Sequence, residues 1–245
     1  MEVARLYVAI PVHNRRAVVE QCVPTIYRSI ERPSDRLFLY DDGSTEYNIG
    51  SLDVGQDYSI RTESMGVDAQ RRRHFVDFWD HAHRPYSGDG PSFSHLYLTD
   101  GDAPHDPGFR AAALALQAEH NLPICLYNTA THENMPGNTF RDTPGSNVIL
   151  RRFAPGVSYL LTLEHVAKIM PHIDTLQSWD WQVPSLLGYR MAVSRTSYVE
   201  HIGAGGQHDP ADGSIGPERA LNPTPWLVKK RAEIIAKLEA PRPSQ

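Results

Sequence analysis

The chain has 245 residues, of which 40% are hydrophobic and 22% are charged, a mixture typical of a globular protein and not of a disordered or fibrous one. Lys and Arg number 24 against 29 Asp and Glu, and the net charge of −5 argues against a general nucleic-acid binder, which needs clustered cations. The two cysteines, Cys22 and Cys125, cannot build a disulfide framework or a four-thiolate zinc site, and their apolar neighbours predict buried free thiols. Neither a leader pattern nor an apolar run as long as a membrane span is evident, so we expect a cytoplasmic protein.

The first forty residues predict a β-strand, a helix and a second strand. Residues 6–10 are rich in β-formers and end at Pro11, and residues 17–31 carry apolar side chains at helical spacing, with Pro24 inside. Residues 37–40 form the second apolar run. A strand–helix–strand unit of this kind predicts a parallel sheet with a right-handed crossover.

The rest of the chain continues the alternation of strands and helices. The pattern predicts strands at residues 58–60, 94–99, 123–127, 189–193 and 197–201, a strand-to-helix element beginning at 158–163, helices at 66–81, 109–120 and 226–238, and loops or hairpins at 84–91, 130–147 and 203–225. We therefore expect an α/β fold with a central, mostly parallel sheet flanked by helices.

Acidic residues stand at the ends of two predicted strands. Asp41 and Asp42 follow the second strand, and residues 100–102, DGD, follow the strand at 94–99. Ligands of open parallel sheets bind outside the carboxyl ends of the strands, so we expect both pairs at one edge. Paired carboxylates there hold a hard divalent cation or do acid–base chemistry. Either pair alone is also explained by turn and capping roles, because Asp-Gly is a favourable turn pair.

The common phosphate-binding loops are absent from the sequence. No P-loop and no Gly-rich dinucleotide fingerprint follows the first strand, where the chain reads PVHN over residues 11–14. This excludes a P-loop enzyme and a dinucleotide-binding domain of the usual type.

Two motifs together resemble the start of a family-2-type glycosyltransferase with the GT-A fold. They are residues 8–14, VAIPVHN, and residues 39–45, LYDDGST. Residues 66–71 (GVDAQR), 98–103 (LTDGDA) and 156–161 (GVSYLL) are similar to later segments of that family, of which 98–103 resembles its metal-binding motif. The resemblance extends over residues 6–208. It implies one GT-A domain over 1–225, with a donor half at about 1–103 and an acceptor half at about 104–208, followed by a C-terminal helix and tail at 226–245.

The resemblance also implies roles for individual residues. Asp102 would bind a divalent ion, Mn²⁺ or Mg²⁺, that bridges the diphosphate of the donor. The nucleotide-sugar would contact Pro11, Val12, His13, Asn14, Asp41, Asp42, Arg71, Asp100 and Gly101. His201 and His208 lie in segments that resemble a late metal-binding region of some members, and either imidazole suits Mn²⁺.

The acceptor side is less regular. In inverting members an Asp, often in a Glu-Asp pair, deprotonates the acceptor hydroxyl. Here residues 177–182 read QSWDWQ, so Asp180 is the candidate base and the first acid of the pair is missing. Asp174 is the second candidate for the base. Trp179 and Trp181 are candidates for an acceptor platform, with core packing as the alternative.

The leading hypothesis is a metal-dependent glycosyltransferase, inverting if Asp180 is the base. The first alternative is a non-catalytic nucleotide-sugar binding module. A sugar-phosphate nucleotidyltransferase is less favoured, because such an enzyme would carry a Gly-rich basic loop after the first strand. A metal hydrolase is disfavoured because the sequence has no compact cluster of Asp and His ligands. A UDP-sugar is the default donor. The acceptor is a hydroxyl group of a glycan, lipid-linked sugar, protein, small molecule or modified DNA base, with DNA disfavoured by the charge. We expect no stable membrane insertion, and the oligomeric state is open.

Overall fold

A computed structural model describes residues 4–31, 34–83, 92–203 and 219–240. The strands are β1 (Leu6–Val12), β2 (Arg36–Asp42), β3 (Tyr58–Thr62), β4 (His95–Thr99), β5 (Ile124–Cys125), β6 (Thr139–Arg141), β7 (Val148–Arg151), β8 (Ser158–Thr162) and β9 (Met191–Ser194). The helices are α1 (Arg16–Tyr27), α2 (Val67–His83), α3 (Phe109–His120), α4 (Ala130–Asn134), α5 (Leu163–Ile169), α6 (Trp179–Leu186) and α7 (Pro225–Glu239). Short 3₁₀ helices occupy Ile49–Ser51 and Met170–Thr175. Among the described helices, none is both long and apolar enough to cross a bilayer.

The strands form one nine-stranded sheet in the order β3-β2-β1-β4-β8-β5-β9-β7-β6. The four strands from β3 to β4 are mutually parallel, as the first strand–helix–strand unit predicts. Strand β8 then runs antiparallel to both β4 and β5, and β6, β7 and β9 add further antiparallel pairs. The α/β class is confirmed, and the sheet is parallel in the half that contains the acidic strand ends and mixed in the other half.

Strand β1 is the centre of the parallel half and runs two residues further than predicted. Its residues Leu6 to Ile10 are fully buried, because β2 and β4 cover both edges and the side chains pack in one core cluster with residues of α1 and α2. Pro11 is accommodated within the strand because pairing with β4 ends at Ala9, whereas pairing with β2 continues to Val12. A proline without a backbone donor is tolerated where one side of the strand is already unpaired.

The predicted strand at residues 197–201 is wrong. This segment pairs with loops through isolated bridges, His105 to Val199 and Ser197 to Pro223, and not with a strand of the sheet. Its backbone is nevertheless tied to the loop after β4, since Ile202 N donates to Asp102 O at 3.1 Å. The segment therefore delivers His201 to the acidic strand end although it forms no strand.

Helix α7 packs against α1 on the side of the sheet near that loop. Ile234 of α7 is buried in a small cluster with Val18, Cys22 and Ile202, and Leu227 is buried as well. The helix expected at 226–238 is therefore present and packs on α1. Both cysteines are free and buried, as predicted.

Candidate functional site

The loop after β1 is held by side-chain hydrogen bonds to the end of β2. Asn14 Oδ1 accepts from the backbone N–H of Thr45 at 2.8 Å and of Glu46 at 3.1 Å, and Asn14 N donates to Ser44 Oγ at 2.8 Å. Next to it, His13 Nδ1 lies 2.8 Å from Asp42 O. The two motifs that carry the family resemblance are therefore joined to each other in the fold.

The two acids at the end of β2 have different environments. Asp41 is fully buried; its Oδ1 accepts from Ser44 N at 2.8 Å, and Arg61 Nε lies 3.7 Å from its other oxygen. Asp42 accepts from Met65 N at 2.7 Å and also lines a pocket. Successive residues of a strand point to opposite faces, so only one of the pair faces the pocket.

The loop after β4 places Asp100 and Asp102 at the same edge of the sheet. Gly101 between them packs directly on the end of β1: a Cβ there would stand 2.8 Å from Val12 Cγ1 and 3.1 Å from Pro11 O. Both distances are shorter than ordinary van der Waals contact, so a glycine is required for this close approach. The expectation that the acidic strand ends converge is confirmed for Asp42, Asp100 and Asp102.

One oxygen of Asp102 has two cationic partners. Arg15 Nη1 lies 3.0 Å and His201 Nε2 lies 3.2 Å from Asp102 Oδ2. Burial raises the pKa of Asp102, but His201 and Arg15 outweigh this effect and hold the pKa below its usual value. Burial lowers the pKa of His201, but the Asp102 carboxylate outweighs it and raises the pKa to about 9. Both pKa shifts favour the charged pair, an ionised carboxylate beside a protonated imidazole.

Asp100, Asp102 and His201 offer a set of metal ligands. One ligand atom from each lies within 4.8 Å of those from the other two. Two carboxylates and one imidazole suit Mn²⁺ well, and Mg²⁺ less well because it prefers oxygen. The residues present therefore fit a divalent ion, provided that His201 loses its proton and Arg15 leaves Oδ2.

These side chains open into a pocket of about 540 Å³ at the carboxyl ends of β1, β2 and β4. The pocket is large enough for a nucleotide-sized ligand. Its lining includes the predicted residues Pro11, Val12, His13, Asn14, Asp42, Asp100, Gly101, Asp102 and His201. The lining does not include Asp41, Arg71, Asp180, Trp179 or Trp181.

Arg71 lies beneath the pocket. Its side chain is 2% exposed, forms an ion pair with Asp100, and donates from Nη1 to Thr99 O at 3.3 Å. Its guanidinium stands over the Trp179 ring, 4.6 Å from the centroid, and Trp179 is itself 5% exposed. Trp179 also packs on Tyr159, with 5.1 Å between ring centroids, and belongs to the hydrophobic core. Arg71 thus connects the acid at the end of β4 to α6.

Helix α6 carries the other two acceptor-side candidates. Asp180 is partly buried in its first turn, and burial raises the pKa of this carboxyl, with Asp68 adding to the shift and Arg71 opposing it. Trp181 is 43% exposed and packs on Phe153, with 4.5 Å between ring centroids. Among the candidates of this region, Trp181 alone presents a large aromatic surface to solvent.

Seven residues of the pocket lining were not among the sequence-based candidates, and two of them, Arg15 and Glu46, are charged. One candidate lies outside the described residues. Arg15 and Glu46 both line the pocket, and Glu46 Oε2 accepts from the Arg15 backbone N–H at 2.8 Å. The position of Arg15, directly after the PVHN loop, was the available signal. His208 is outside the described part of the chain, so its role as a metal ligand stays a prediction.

Comparisons by structure find neighbours with the same fold. The first 349 residues of Staphylococcus aureus TarS superimpose with a TM-score of 0.53 and 13% identity, covering 80% of this chain and 59% of that one. The same TarS fragment in complex with UDP-GlcNAc gives a TM-score of 0.54 with 13% identity and 57% of the TarS fragment covered. In complex with UDP it gives a TM-score of 0.54 with 14% identity and 59% of the fragment covered. Both superpositions cover 80% of this chain. The chain thus spans less than two thirds of the length of these neighbours.

No family model and no curated protein matches the chain by sequence. At this level of identity, the structural likeness establishes the fold and not the activity. These neighbours have the GT-A architecture, so the GT-A fold expected from the two N-terminal motifs is confirmed.

Proposed function

We propose that this protein is a glycosyltransferase that takes a sugar from a nucleotide-diphosphate donor, with a UDP-sugar as the first candidate, and transfers it to an acceptor hydroxyl. One observation carries the proposal. Asp100 and Asp102, which stand two residues apart, meet His201, 99 residues beyond Asp102, at the carboxyl edge of the sheet in the wall of a nucleotide-sized pocket. They do so in a fold whose solved neighbours include complexes with UDP-GlcNAc and UDP.

The donor pocket would hold the nucleotide against the loop after β1, the end of β2 and the loop after β4. His13, Asn14 and Asp42 line it from the first two of these segments, and Asp100, Gly101 and Asp102 line it from the third. Asp100, Asp102 and His201 would hold a divalent ion, Mn²⁺ or Mg²⁺. When bound, that ion supplies positive charge to the nucleoside diphosphate as it leaves.

Asp180 is the proposed general base for an inverting transfer. The acceptor oxygen bonds to the anomeric carbon as the bond from that carbon to the diphosphate oxygen breaks; the diphosphate keeps the electron pair and Asp180 takes the acceptor proton. Burial raises the pKa of Asp180 towards the working pH of a general base, which supports this role. Asp174 is exposed and belongs to a 3₁₀ helix, so it is the weaker candidate.

A thermal-shift screen with UDP, GDP and dTDP, each with and without Mn²⁺, tests the donor site. A ligand that binds only the native state raises the melting temperature. We expect a metal-dependent rise with one base, lost in Asp102→Asn and kept in Asp53→Asn, which changes an exposed aspartate outside the pocket. No rise with any nucleotide, or a rise that survives in Asp102→Asn, would overturn the donor assignment.

A second variant separates catalysis from mere binding. Asp180→Asn should keep donor binding and lose release of nucleoside diphosphate from the sugar nucleotide identified by the screen. Unchanged turnover in Asp180→Asn would remove this residue from the mechanism. A wild type that binds the donor and never cleaves it, with any acceptor class tried, would favour the non-catalytic binding module, for which the absence of Asp180 from the pocket lining is the present support.

A further inference from the structure

The proposed donor pocket is acidic. Four carboxylate side chains line it, those of Asp42, Glu46, Asp100 and Asp102. Among the described residues that line the pocket, Arg15 is the one Lys or Arg. Because a nucleoside diphosphate is itself strongly anionic, it requires added positive charge to bind among these acids.

Arg15 is held in an unusual backbone conformation. It stands at the N-cap of α1 with φ 58° and ψ 40°, and Asn14 before it also has a positive φ of 50°. A left-handed conformation at a non-glycine residue costs free energy and persists when its surroundings enforce it. Here the Asn14 side chain and the Glu46 carboxylate hold the turn, which directs the Arg15 side chain across the pocket to Asp102.

The guanidinium occupies the carboxylate oxygen that a metal ion would use. Arg15 Nη1 and His201 Nε2 both contact Asp102 Oδ2, at 3.0 and 3.2 Å. A divalent ion bound to that oxygen would lie beside the guanidinium, and like charges at such a separation repel. Metal and Arg15 therefore compete for one atom.

We propose that Arg15 and the divalent cation bind Asp102 in alternation, and that Arg15, once displaced by the ion, binds the diphosphate of the donor. The inference rests on the proposed function, since it requires the donor site. A guanidinium matches phosphate oxygens with two parallel N–H donors, so the released side chain is suited to this second partner. Metal binding and diphosphate binding are then positively coupled through Arg15.

The first test measures Mn²⁺ affinity without nucleotide, from the electron paramagnetic resonance signal of free Mn²⁺. Arg15→Gln removes the competitor, so it should bind Mn²⁺ about tenfold more tightly than wild type, equivalent to about 1.4 kcal/mol. Arg15→Lys should stay nearer to wild type because it keeps the charge. Arg16→Gln is the matched control, because Arg16 pairs with Glu20 on α1 and does not line the pocket.

The second test measures UDP affinity by calorimetry at saturating Mn²⁺. Arg15→Gln should bind UDP roughly tenfold more weakly, opposite in direction to its change in Mn²⁺ affinity. A structural role for Arg15 would weaken both affinities, and that result would overturn the proposal. If wild type and Arg16→Gln bind both ligands and Arg15→Gln matches them, this inference alone fails. If wild type binds neither Mn²⁺ nor any nucleoside diphosphate, the proposed function fails and takes the inference with it.

Discussion

Gly101→Ala tests whether the close approach between the β4 loop and β1 positions the acidic residues. The new Cβ would stand 2.8 Å from Val12 Cγ1 and 3.1 Å from Pro11 O, where ordinary contact begins near 3.4 Å. The Val12 side chain can rotate, but the Pro11 carbonyl belongs to a buried central strand. The loop must therefore retreat by roughly half an ångström, and overpacking of this kind costs about 1–3 kcal/mol.

Urea unfolding and UDP titration in the presence of Mn²⁺ measure the two consequences. We expect Gly101→Ala to lose about 1–3 kcal/mol of unfolding free energy and to bind UDP roughly tenfold more weakly, since small displacements of site residues are costly. Gly50→Ala is the control, because its nearest neighbour would be Asn48 Oδ1 at 3.4 Å; its change should stay within about 0.5 kcal/mol. Wild-type stability and affinity in Gly101→Ala would refute the reasoning.

Three further predictions concern stability and the acceptor. Burial lowers the pKa of His105 to about 3, whereas the imidazole of the unfolded chain titrates near pH 6.5. Below about pH 6.5 the unfolded chain therefore binds one more proton at this residue, and the unfolding free energy falls as the pH is lowered towards 3. His105→Gln should reduce the slope of unfolding free energy against pH, near pH 5, by about 1.4 kcal/mol per pH unit, and an unchanged slope would contradict the buried, neutral state of His105. Asp35 is fully buried and accepts from Arg110 Nε at 2.6 Å; Asp35→Ala should cost about 3–5 kcal/mol in urea unfolding, and a loss below 1 kcal/mol, typical of exposed pairs, would show the pair to be dispensable. Trp181→Ala removes an exposed aromatic ring. Measured with an identified acceptor, the KM for the acceptor should rise in this variant while the KM for the donor stays unchanged. Equal changes in the two KM values would argue against an acceptor-binding role for Trp181.

The parts of the fold that were predictable from sequence are those with a regular spacing of apolar residues and clear turn residues at their ends. Strands β1, β2 and β4 and helix α3 follow from apolar runs and helical spacing, and the acidic turns mark the strand ends. Convergence of Asp42, Asp100 and Asp102 then follows from parallel pairing alone. The segment at 197–201 was harder, because Tyr198 and Val199 favour a strand but the sequence does not reveal that their partners are loops.

Side-chain direction was the main source of the remaining differences. Asp41 and Asp42 are equivalent in sequence, and only the pleat of β2 decides which of them faces the pocket. Arg71 belongs to a segment that resembles a family motif, but its side chain lies beneath the pocket and packs on Trp179, which is more than a hundred residues away in the sequence. Arg15 contacts Asp102 from a turn in which two consecutive residues have positive φ. Asn14 is of a residue type that favours this conformation, but Arg15 is not, so the sequence does not indicate the turn.

The most direct test of the central claim is a crystal soaked with Mn²⁺ and UDP, with anomalous diffraction recorded at the manganese edge. We expect an anomalous peak at coordination distance from the Asp102 carboxylate and His201 Nε2, with the diphosphate of the nucleotide beside it in the pocket. Nucleotide bound in this pocket without a peak would contradict the metal assignment. A nucleotide bound anywhere else on the protein would contradict the donor site itself.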